Sequence, residues 1–457
     1  MFNPEIFKAY DIRGVFGVDF RANFAYDLAQ NFVELRKHDG DCEEKKLKIL
    51  VARDMRLSSP EIYQHLIKGL QAKGVQVLDA GLLSTPAFYF AVSTEKADGG
   101  IMVSASHNPQ EWNGFKLVRR QARPISGDNG INWLKEKMQQ KEQTVDKNIE
   151  ELPVIKLYNL DEKQLDHDLD FINTNLRPLK IVADAANSMG AQYLNLLSEK
   201  IPGEWLKINF ELDGSFPAHE ADPLKKENLS QLSQKIIDKQ ADLGIATDGD
   251  GDRVFFLDNK GQIIDPAIIR GLLAQIFLKD KPGSKICYDI RPGKITEDLI
   301  VAAGGTPVIT KVGHSLIKEQ MLQENAYFAG ESSGHFFLNL NIGCFEMPII
   351  MIGKMLELFA AQNSTSSEFI KQYQKYYHSG EINRSVNNKE KIFEELALNY
   401  KEAKISTLDG ISISYDDFWF NVRASNTENK VRLNLEAKTK ELMEEKRDEI
   451  LKIIEQY

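Results

Sequence analysis

Cysteine is scarce in this chain. Three occur in 457 residues, Cys42, Cys287 and Cys344, odd in number, far apart and without a Cys-x-x-Cys spacing. That argues against a disulfide framework or a thiolate zinc site and for a reducing compartment. Long apolar runs are missing too. The greasiest stretch, Met347 to Phe359, contains Pro348, Lys354 and Glu357, and is too short and too charged to span a bilayer. The first fourteen residues carry Glu5, Lys8, Asp11 and Arg13 and have no apolar core of the kind a secretory leader needs. Nor is there a basic excess. Lys and Arg total 57 against 67 Asp and Glu, a net charge of −10, the reverse of the usual nucleic-acid-binding balance. The expectation is a cytoplasmic protein, with neither nucleic acid nor membrane as a partner.

What is present is an ordinary globular mixture, 42% apolar and 27% charged, which argues against a mainly disordered chain. At roughly 150 residues per domain, the length suggests about three domains. Three segments read alike. Lys48-Ile-Leu-Val-Ala-Arg-Asp54 is an apolar run ending in charge. A helical pattern from Ser59 to Lys73 and a strand from Val75 to Leu78 follow it. Lys180-Ile-Val-Ala-Asp184 repeats the opening and leads through a small-residue turn to a helix ending at Leu197. Lys285-Ile-Cys-Tyr-Asp289 repeats it again, with a helix to Ala303 and a strand from Pro307 to Thr310. Short apolar runs alternating with helical patterns predict βαβ units. Beyond the polar break at Gln362 to Ser367 the pattern changes. Tyr415 to Arg423 and Lys430 to Ala437 alternate like hairpin strands, and Lys438 to Tyr457 predicts a charged terminal helix. The domains expected are 1–150, 151–256, 257–370 and 371–457.

Four loops carry chemistry. The most specific is Asp248-Gly-Asp250-Gly-Asp252-Arg253. Three alternate carboxylates repel unless compensated, and the glycines let them converge, so a hard divalent cation, most plausibly Mg²⁺, is the natural partner. An EF-hand fails, because the sixth loop position is Arg253 and the twelfth Asn259, and the flanks predict strands. The remaining alternative is a solvated acidic turn. Ser104-Ala-Ser106-His107-Asn108-Pro109, then Asn113-Gly114-Phe115-Lys116, follows a strand. Ser106 reads either as a nucleophile with His107 and Lys116 nearby or as a bystander in an Asn-Pro turn. Gly330-Glu331-Ser332-Ser333-Gly334-His335 contains G-x-S-x-G, but Phe336 to Leu340 predicts a strand where a hydrolase elbow needs a helix. Glu331, Ser333 and His335 can offer an acceptor, a hydroxyl and a donor to a sugar, or can form a plain polar turn. Arg423-Ala-Ser425-Asn426-Thr427-Glu428 suits a phosphate through the guanidinium fork, or is a solvated hairpin turn. Arg13, Arg291 and Lys311 sit at unit ends, where α/β sheets put ligands.

Together, from Tyr10-Asp-Ile-Arg13 to Arg423-Ala-Ser-Asn-Thr427 and over essentially the whole chain, these motifs make the sequence resemble the α-D-phosphohexomutase family, most of all its phosphomannomutase/phosphoglucomutase branch. The resemblance implies an α/β fold of four domains around a central cleft, three related units with mixed sheets and a C-terminal α+β domain. It implies that Ser106 carries a phosphoryl group, and that Asp248, Asp250 and Asp252, with a phosphoserine oxygen on Ser106, hold one Mg²⁺ per chain. Lys116 and Arg253 would support the transferring group, with Lys116, His335 or Arg13 in acid–base roles. Glu331, Ser333 and His335 would read the sugar. Arg423, Ser425, Asn426 and Thr427 would grip the other phosphate, and Tyr10, Arg291, Lys311 and His314 would line the cleft. The implied reaction interconverts hexose 1- and 6-phosphates through a hexose 1,6-bisphosphate, in a monomer or weak homo-oligomer.

Two departures stand out. Gly343-Cys-Phe-Glu-Met347 replaces a Gly-x-Asp-Asp-Gly stretch, with only Glu346 preserving acidity, and Glu428-Asn429 stands where a proline is common. Glu331 in Glu-Ser-Ser-Gly-His favours mannose and glucose phosphates over the glucosamine phosphate expected with Gln-Ser-Gly-His. A phosphoglucosamine mutase, a phosphatase and a non-catalytic sugar-phosphate binder are the alternatives. The intact serine and aspartates speak against the last.

Overall fold

The computed structural model of the chain describes residues 2–40, 46–140, 152–291, 293–424 and 429–457. Cys42, the boundary expected at 150, and Ser425, Asn426 and Thr427 lie outside them.

Three of its sheets follow one plan. In the first, Lys48–Arg53 lies between Gln76–Leu82 and Gly99–Val103, parallel to both, and Trp112–Arg119 runs antiparallel beyond Gly99–Val103. In the second, Leu179–Asp184 lies between Gly203–Ile208 and Leu243–Thr247, with Val254–Leu257 antiparallel beyond. In the third, Lys285–Asp289 lies between Thr306–Thr310 and Phe328–Gly330, with Phe336–Leu340 antiparallel beyond. The edge strands Ile12–Val15 and Ile155–Lys156 extend the first sheet and Gly343–Glu346 the third. The sheets are therefore mixed, and the sequence repeat corresponds to a repeat of topology.

The apolar runs have a simple cause. A parallel strand is covered on both faces, so both sets of alternate side chains must be apolar. Ile49 and Val51 join the core under the helices Asn23–Asp39 and Ser59–Gln71. Leu50 and Ala52 point the other way, toward the helix Thr85–Thr94. That helix starts on Ser84, whose side chain accepts from the Ala87 N–H, and it is buried nearly all round. From there one continuous core passes through all three units. The apolar stretch Met347 to Phe359 is part of it, as the buried helix Pro348–Ala360. Among the described residues no helix is long and apolar enough to cross a membrane.

The fourth sheet is antiparallel, in the order Tyr377–His378, Lys430–Ala437, Phe418–Ala424, Ile411–Ser414, Lys404–Ser406, with Ile382–Ser385 also on Lys430–Ala437. It has its own core, covered by the helices Lys389–Asn399 and Lys440–Ile454. The strand expected from Tyr415 starts at Phe418. The terminal helix starts after Thr439, whose hydroxyl accepts from the Leu442 N–H.

This plan puts the chemistry in register. In each of the three units the loop singled out in the sequence joins the third parallel strand to the antiparallel fourth. Strands, not helices, flank 248–253, and a strand follows 331–335, so neither an EF-hand nor a hydrolase elbow forms. Each central strand also leads to a buried aspartate, Asp54, Asp184 or Asp289. Asp289 shows what such a residue does. Arg270 and Arg291 converge on it, the latter by Nε at 2.5 Å, and it accepts the Ser332 N–H at 3.1 Å and hydroxyl at 3.0 Å. It thereby ties the central strand to the loop carrying Glu331. Removing one partner of a buried ion pair is far costlier than the pair's net worth. Asp289→Ala is therefore expected to lower stability by about 3 kcal/mol in urea unfolding; a loss below about 1 kcal/mol would contradict this account.

Candidate active site

The cleft measures about 520 Å³ and draws its lining from all four sheets' neighbourhoods, among them Arg13, His107, Arg253, His314 and Arg423. Six of its lining residues are Lys or Arg and three are Asp or Glu. In a chain of net charge −10, that is a local reversal of sign, suited to an anion.

Next to the lining residues Arg253 and His335, three aspartates converge. Asp248, Asp250 and Asp252 are buried, with one oxygen of each within 4.8 Å of the others. Burial, and after it the charges of Asp252 and Asp250, push Asp248 up to about 7. Burial also works against the charge of Asp252, but Lys116 and His335 outweigh it and hold that carboxyl well below the usual range. Lys116 comes from the strand Trp112–Arg119. Its Nζ meets Asp250 at 2.8 Å and also pairs with Asp252. Thr85 donates to Asp250 Oδ2 at 2.7 Å. Asp250 Oδ1 is buried with no hydrogen-bond partner among the described residues. Three crowded hard oxygens, one unpartnered and one carboxyl driven toward neutrality, fit a divalent cation with oxygen ligands.

Ser106 meets this cluster from the first unit. Its Oγ donates to Asp248 Oδ2 at 2.9 Å and lies 3.2 Å from His107 Nδ1. The residue has φ 51°, in the left-handed region. Burial, then Arg253 and Arg13, hold His107 well below its usual pKa, so its imidazole is neutral. Arg13 donates to Asn108 Oδ1 at 3.0 Å and pairs with Asp11. Arg253 Nε lies 3.4 Å from His335 Nε2 and 3.6 Å from Asp248. Its Nη1 is buried with no hydrogen-bond partner among the described residues.

The third loop stands opposite. His335 sits between Asp252 and Glu331, 3.1 Å from each. Burial opposes its charge, but the two carboxylates prevail and raise it to about 9, so it is an imidazolium. Glu331 falls to about 2, burial being outweighed by His335, Arg291 and the Gly313 N–H. Glu331 also accepts from Gly313 N at 2.8 Å and from the Ser333 hydroxyl at 3.3 Å. It is thus as much an internal clamp as a group offered to a ligand. Arg291 reaches the cleft from Asp289. His314 lines it with both ring nitrogens lacking a hydrogen-bond partner among the described residues. Its ring stacks on His335 and meets the edge of Tyr10. From the fourth domain, Arg423 projects with Nη2 on Glu381 at 2.7 Å.

The structure therefore brings together Tyr10, Arg13, Ser106, Lys116, the three aspartates, Arg253, Arg291, His314, Glu331, Ser333, His335 and Arg423. Lys311 differs: it is exposed and does not line the cleft, while Val312 and Gly313 beside it do. Sequence reasoning missed Glu381, which holds Arg423 and Arg432 and reads as one more surface acid. It also missed Lys318, fully buried on Glu346 at 3.1 Å. The acidity kept at Glu346 was the available signal, since a lone acid in an apolar strand implies a buried partner.

Acids able to hold a cation, next to a cleft lined mostly by cationic groups from all four domains, suit an enzyme that handles an anionic, phosphorylated ligand. Comparison with known proteins makes this specific. Four family models match in order: phosphoglucomutase/phosphomannomutase alpha/beta/alpha domain I over residues 4–145, domain II over 162–261, domain III over 265–376 and the C-terminal domain over 381–453. A phosphomannomutase of Methanocaldococcus jannaschii is 37% identical over 456 residues, spanning 98% of this chain and 97% of that protein. One from Vibrio cholerae is 36% identical over 460 residues, 98% of each. The crystal structure of a phosphoglucomutase/phosphomannomutase family protein from Burkholderia thailandensis superposes with a TM-score of 0.89 at 31% identity, covering 99% of this chain and 97% of that one. The chain belongs to the phosphoglucomutase/phosphomannomutase family, and it is a phosphohexomutase, an intramolecular phosphotransferase of the isomerase class.

The crowding of the aspartates makes the cation site testable. Asp250→Asn is expected to weaken Mg²⁺ binding at least tenfold by calorimetric titration. In the absence of metal, it is expected to leave the melting temperature unchanged or higher, because one of the repelling charges is gone. A metal-free variant markedly less stable than the wild type would contradict the charge account.

Proposed function

We propose that the enzyme interconverts hexose 1-phosphate and hexose 6-phosphate, with mannose, glucose or both as the sugar, through a phosphoserine at Ser106 and a hexose 1,6-bisphosphate. The observation that carries the reading is the placement of the Ser106 hydroxyl. It is buried, 2.9 Å from Asp248, and its neighbour His107, 3.2 Å away, lines a cleft rich in guanidinium groups. A Mg²⁺ held by Asp248, Asp250 and Asp252, with a phosphoserine oxygen, would draw charge from the phosphoryl group when bound.

The chain's own residues divide the remaining work. In the first half, a sugar hydroxyl attacks phosphorus and gives up its proton. The bond to Ser106 Oγ breaks, and Oγ keeps the electron pair and takes up a proton to become the free hydroxyl. In the second, the reoriented bisphosphate returns its other phosphoryl to Ser106. The departing sugar oxygen keeps the bonding pair and is protonated, and the Ser106 proton must leave. His107, neutral and 3.2 Å away, can accept it. Lys116 and His335 are held protonated by their carboxylates and suit charge stabilisation or proton donation instead. Arg423 would grip the phosphate that does not react, with Ser425, Asn426 and Thr427 beside it in sequence. Because one grip serves both orientations of the intermediate, the product differs from the substrate. Closure around the ligand would exclude water and protect the phosphoserine from hydrolysis. A carboxylate and an amide differ as partners for the sugar's 2-position, and Glu331 in this loop, in place of the glutamine of the glucosamine pattern, supports mannose and glucose as the sugars.

The test is a coupled assay with Mg²⁺ and a trace of hexose 1,6-bisphosphate on mannose 1-phosphate, glucose 1-phosphate and glucosamine 1-phosphate. Conversion of the first two is expected at higher kcat/KM than the third. Ser106→Ala is expected to lose more than about 10³-fold in kcat, and a chelator to abolish turnover. Retention of activity in Ser106→Ala within tenfold would refute the phosphoserine, and a preference for the glucosamine phosphate would refute the sugar assignment.

A further inference from the structure

Beneath the loop that carries Ser106 lies Arg56, fully buried and used by none of the roles above. Its guanidinium spreads over four main-chain carbonyls of that one loop. Nη2 donates to Ser106 O at 2.7 Å and to Asn108 O at 2.6 Å. Nη1 donates to Pro109 O at 2.7 Å and to Trp112 O at 3.0 Å. The carboxylate beside it, Asp54, lies 3.3 Å from Nε and is occupied in shaping the turn, its Oδ1 accepting the Arg56 N–H and the Ser59 hydroxyl.

The second unit closes around this arrangement. Phe216 covers the guanidinium at 5.1 Å. Gly214 lies against the same segment, where an added side-chain carbon would come within 2.7 Å of Arg56 Cα. On the far side Gly249, in the aspartate loop, touches the Ser106 carbonyl, and a side-chain carbon there would lie 2.2 Å from that oxygen. The carbonyl of Ser106 is thus held between the aspartate loop and the guanidinium. The hold opposes a real cost, because Ser106 has φ 51°, a conformation that a residue with a Cβ keeps only when its surroundings over-determine it.

A buried arginine commonly serves a core ion pair. Neutralising Asp54 would need one charge and one contact, whereas four carbonyls of one turn use the planar, five-donor shape of the guanidinium. We propose that Arg56 is the positioning residue of the phosphoryl-carrying serine: by fixing the turn over 106–112 it delivers Ser106 Oγ to the aspartate cluster. The inference rests on the reading of Ser106 given above. Arg56 touches neither substrate nor the reacting atoms and acts through the backbone of the loop. Lys keeps the charge but offers three donors on one point and cannot span the four carbonyls.

The experiment compares Arg56→Lys and Arg56→Ala with the wild type. Melting temperature, the kcat and KM of the mutase assay, and the rate at which hexose 1,6-bisphosphate loads phosphate onto Ser106 by mass spectrometry are all measured. Arg56→Lys is expected to fold, to keep KM within about threefold because the sugar-holding residues lie elsewhere, and to lose about 10²-fold in kcat, the scale of an ångström's misplacement of a reacting group. Loading is expected to slow by the same factor. Millimolar guanidinium is expected to raise kcat of Arg56→Ala severalfold, and methylammonium to have no effect. Wild-type kcat in a folded Arg56→Lys overturns the inference. So does failure of both variants to fold, which would assign Arg56 to stability alone, or rescue by methylammonium as good as by guanidinium. A wild type whose Ser106 is never loaded and can be replaced without loss overturns the phosphoserine reading and this inference together. A wild type that loads beside an unaffected Arg56→Lys overturns this inference alone.

Discussion

Three carboxylates within one small buried volume are the constraint on which the rest of this structure depends. Left alone, Asp248, Asp250 and Asp252 repel, and burial adds a penalty for each charge. The fold answers with cations taken from different units: Lys116 from the first, Arg253 from the aspartate loop itself and His335 from the third. These cations are then tied to further acids, His335 to Glu331 and Glu331 in turn to Arg291. The charge problem at one loop therefore propagates across the cleft and fixes the side chains that face the ligand. The cluster still has capacity for a divalent cation, since Asp250 Oδ1 has no hydrogen-bond partner among the described residues and His335 is shared with Glu331.

The three α/β units explain how such a network can be assembled from distant sequence. Each places its chemical loop at the same point, between the third parallel strand and the antiparallel fourth. Because the first three units share a core, these loops are held against one another by packing, not by linkers. The third unit's aspartate, Asp289, braces the neighbouring chemical loop through Ser332. The first unit's, Asp54, braces a turn that in turn supports Ser106 through Arg56. The fourth domain has a separate core. It brings Arg423 to the rim with a partner of its own, Glu381.

Much of this was legible in the chain. The βαβ units were readable because parallel strands buried on both faces need unbroken apolar runs, as Ile49 to Ala52 and Ile181 to Ala183 supply. The aspartate loop was readable because glycine alternating with aspartate has few other physical uses. The strand start at Phe418 in place of Tyr415 was less so, because a short aromatic run does not mark where pairing begins. Lys311 was expected at the cleft because it ends a strand, but the chain turns there and presents Val312 and Gly313 instead.

The sequence alone determined the class of fold, the order of the chemical loops and the kinds of groups they carry, because local periodicity and loop composition are written in consecutive residues. Only the tertiary structure decided which of those groups meet. Whether Lys116 faces Asp250, whether His107 is neutral and His335 charged, and whether Arg56 supports a turn fifty residues away depend on burial and on neighbours brought from other units. A charge state is set by the sum of all surrounding charges and the loss of water, and that sum exists only once the chain has folded.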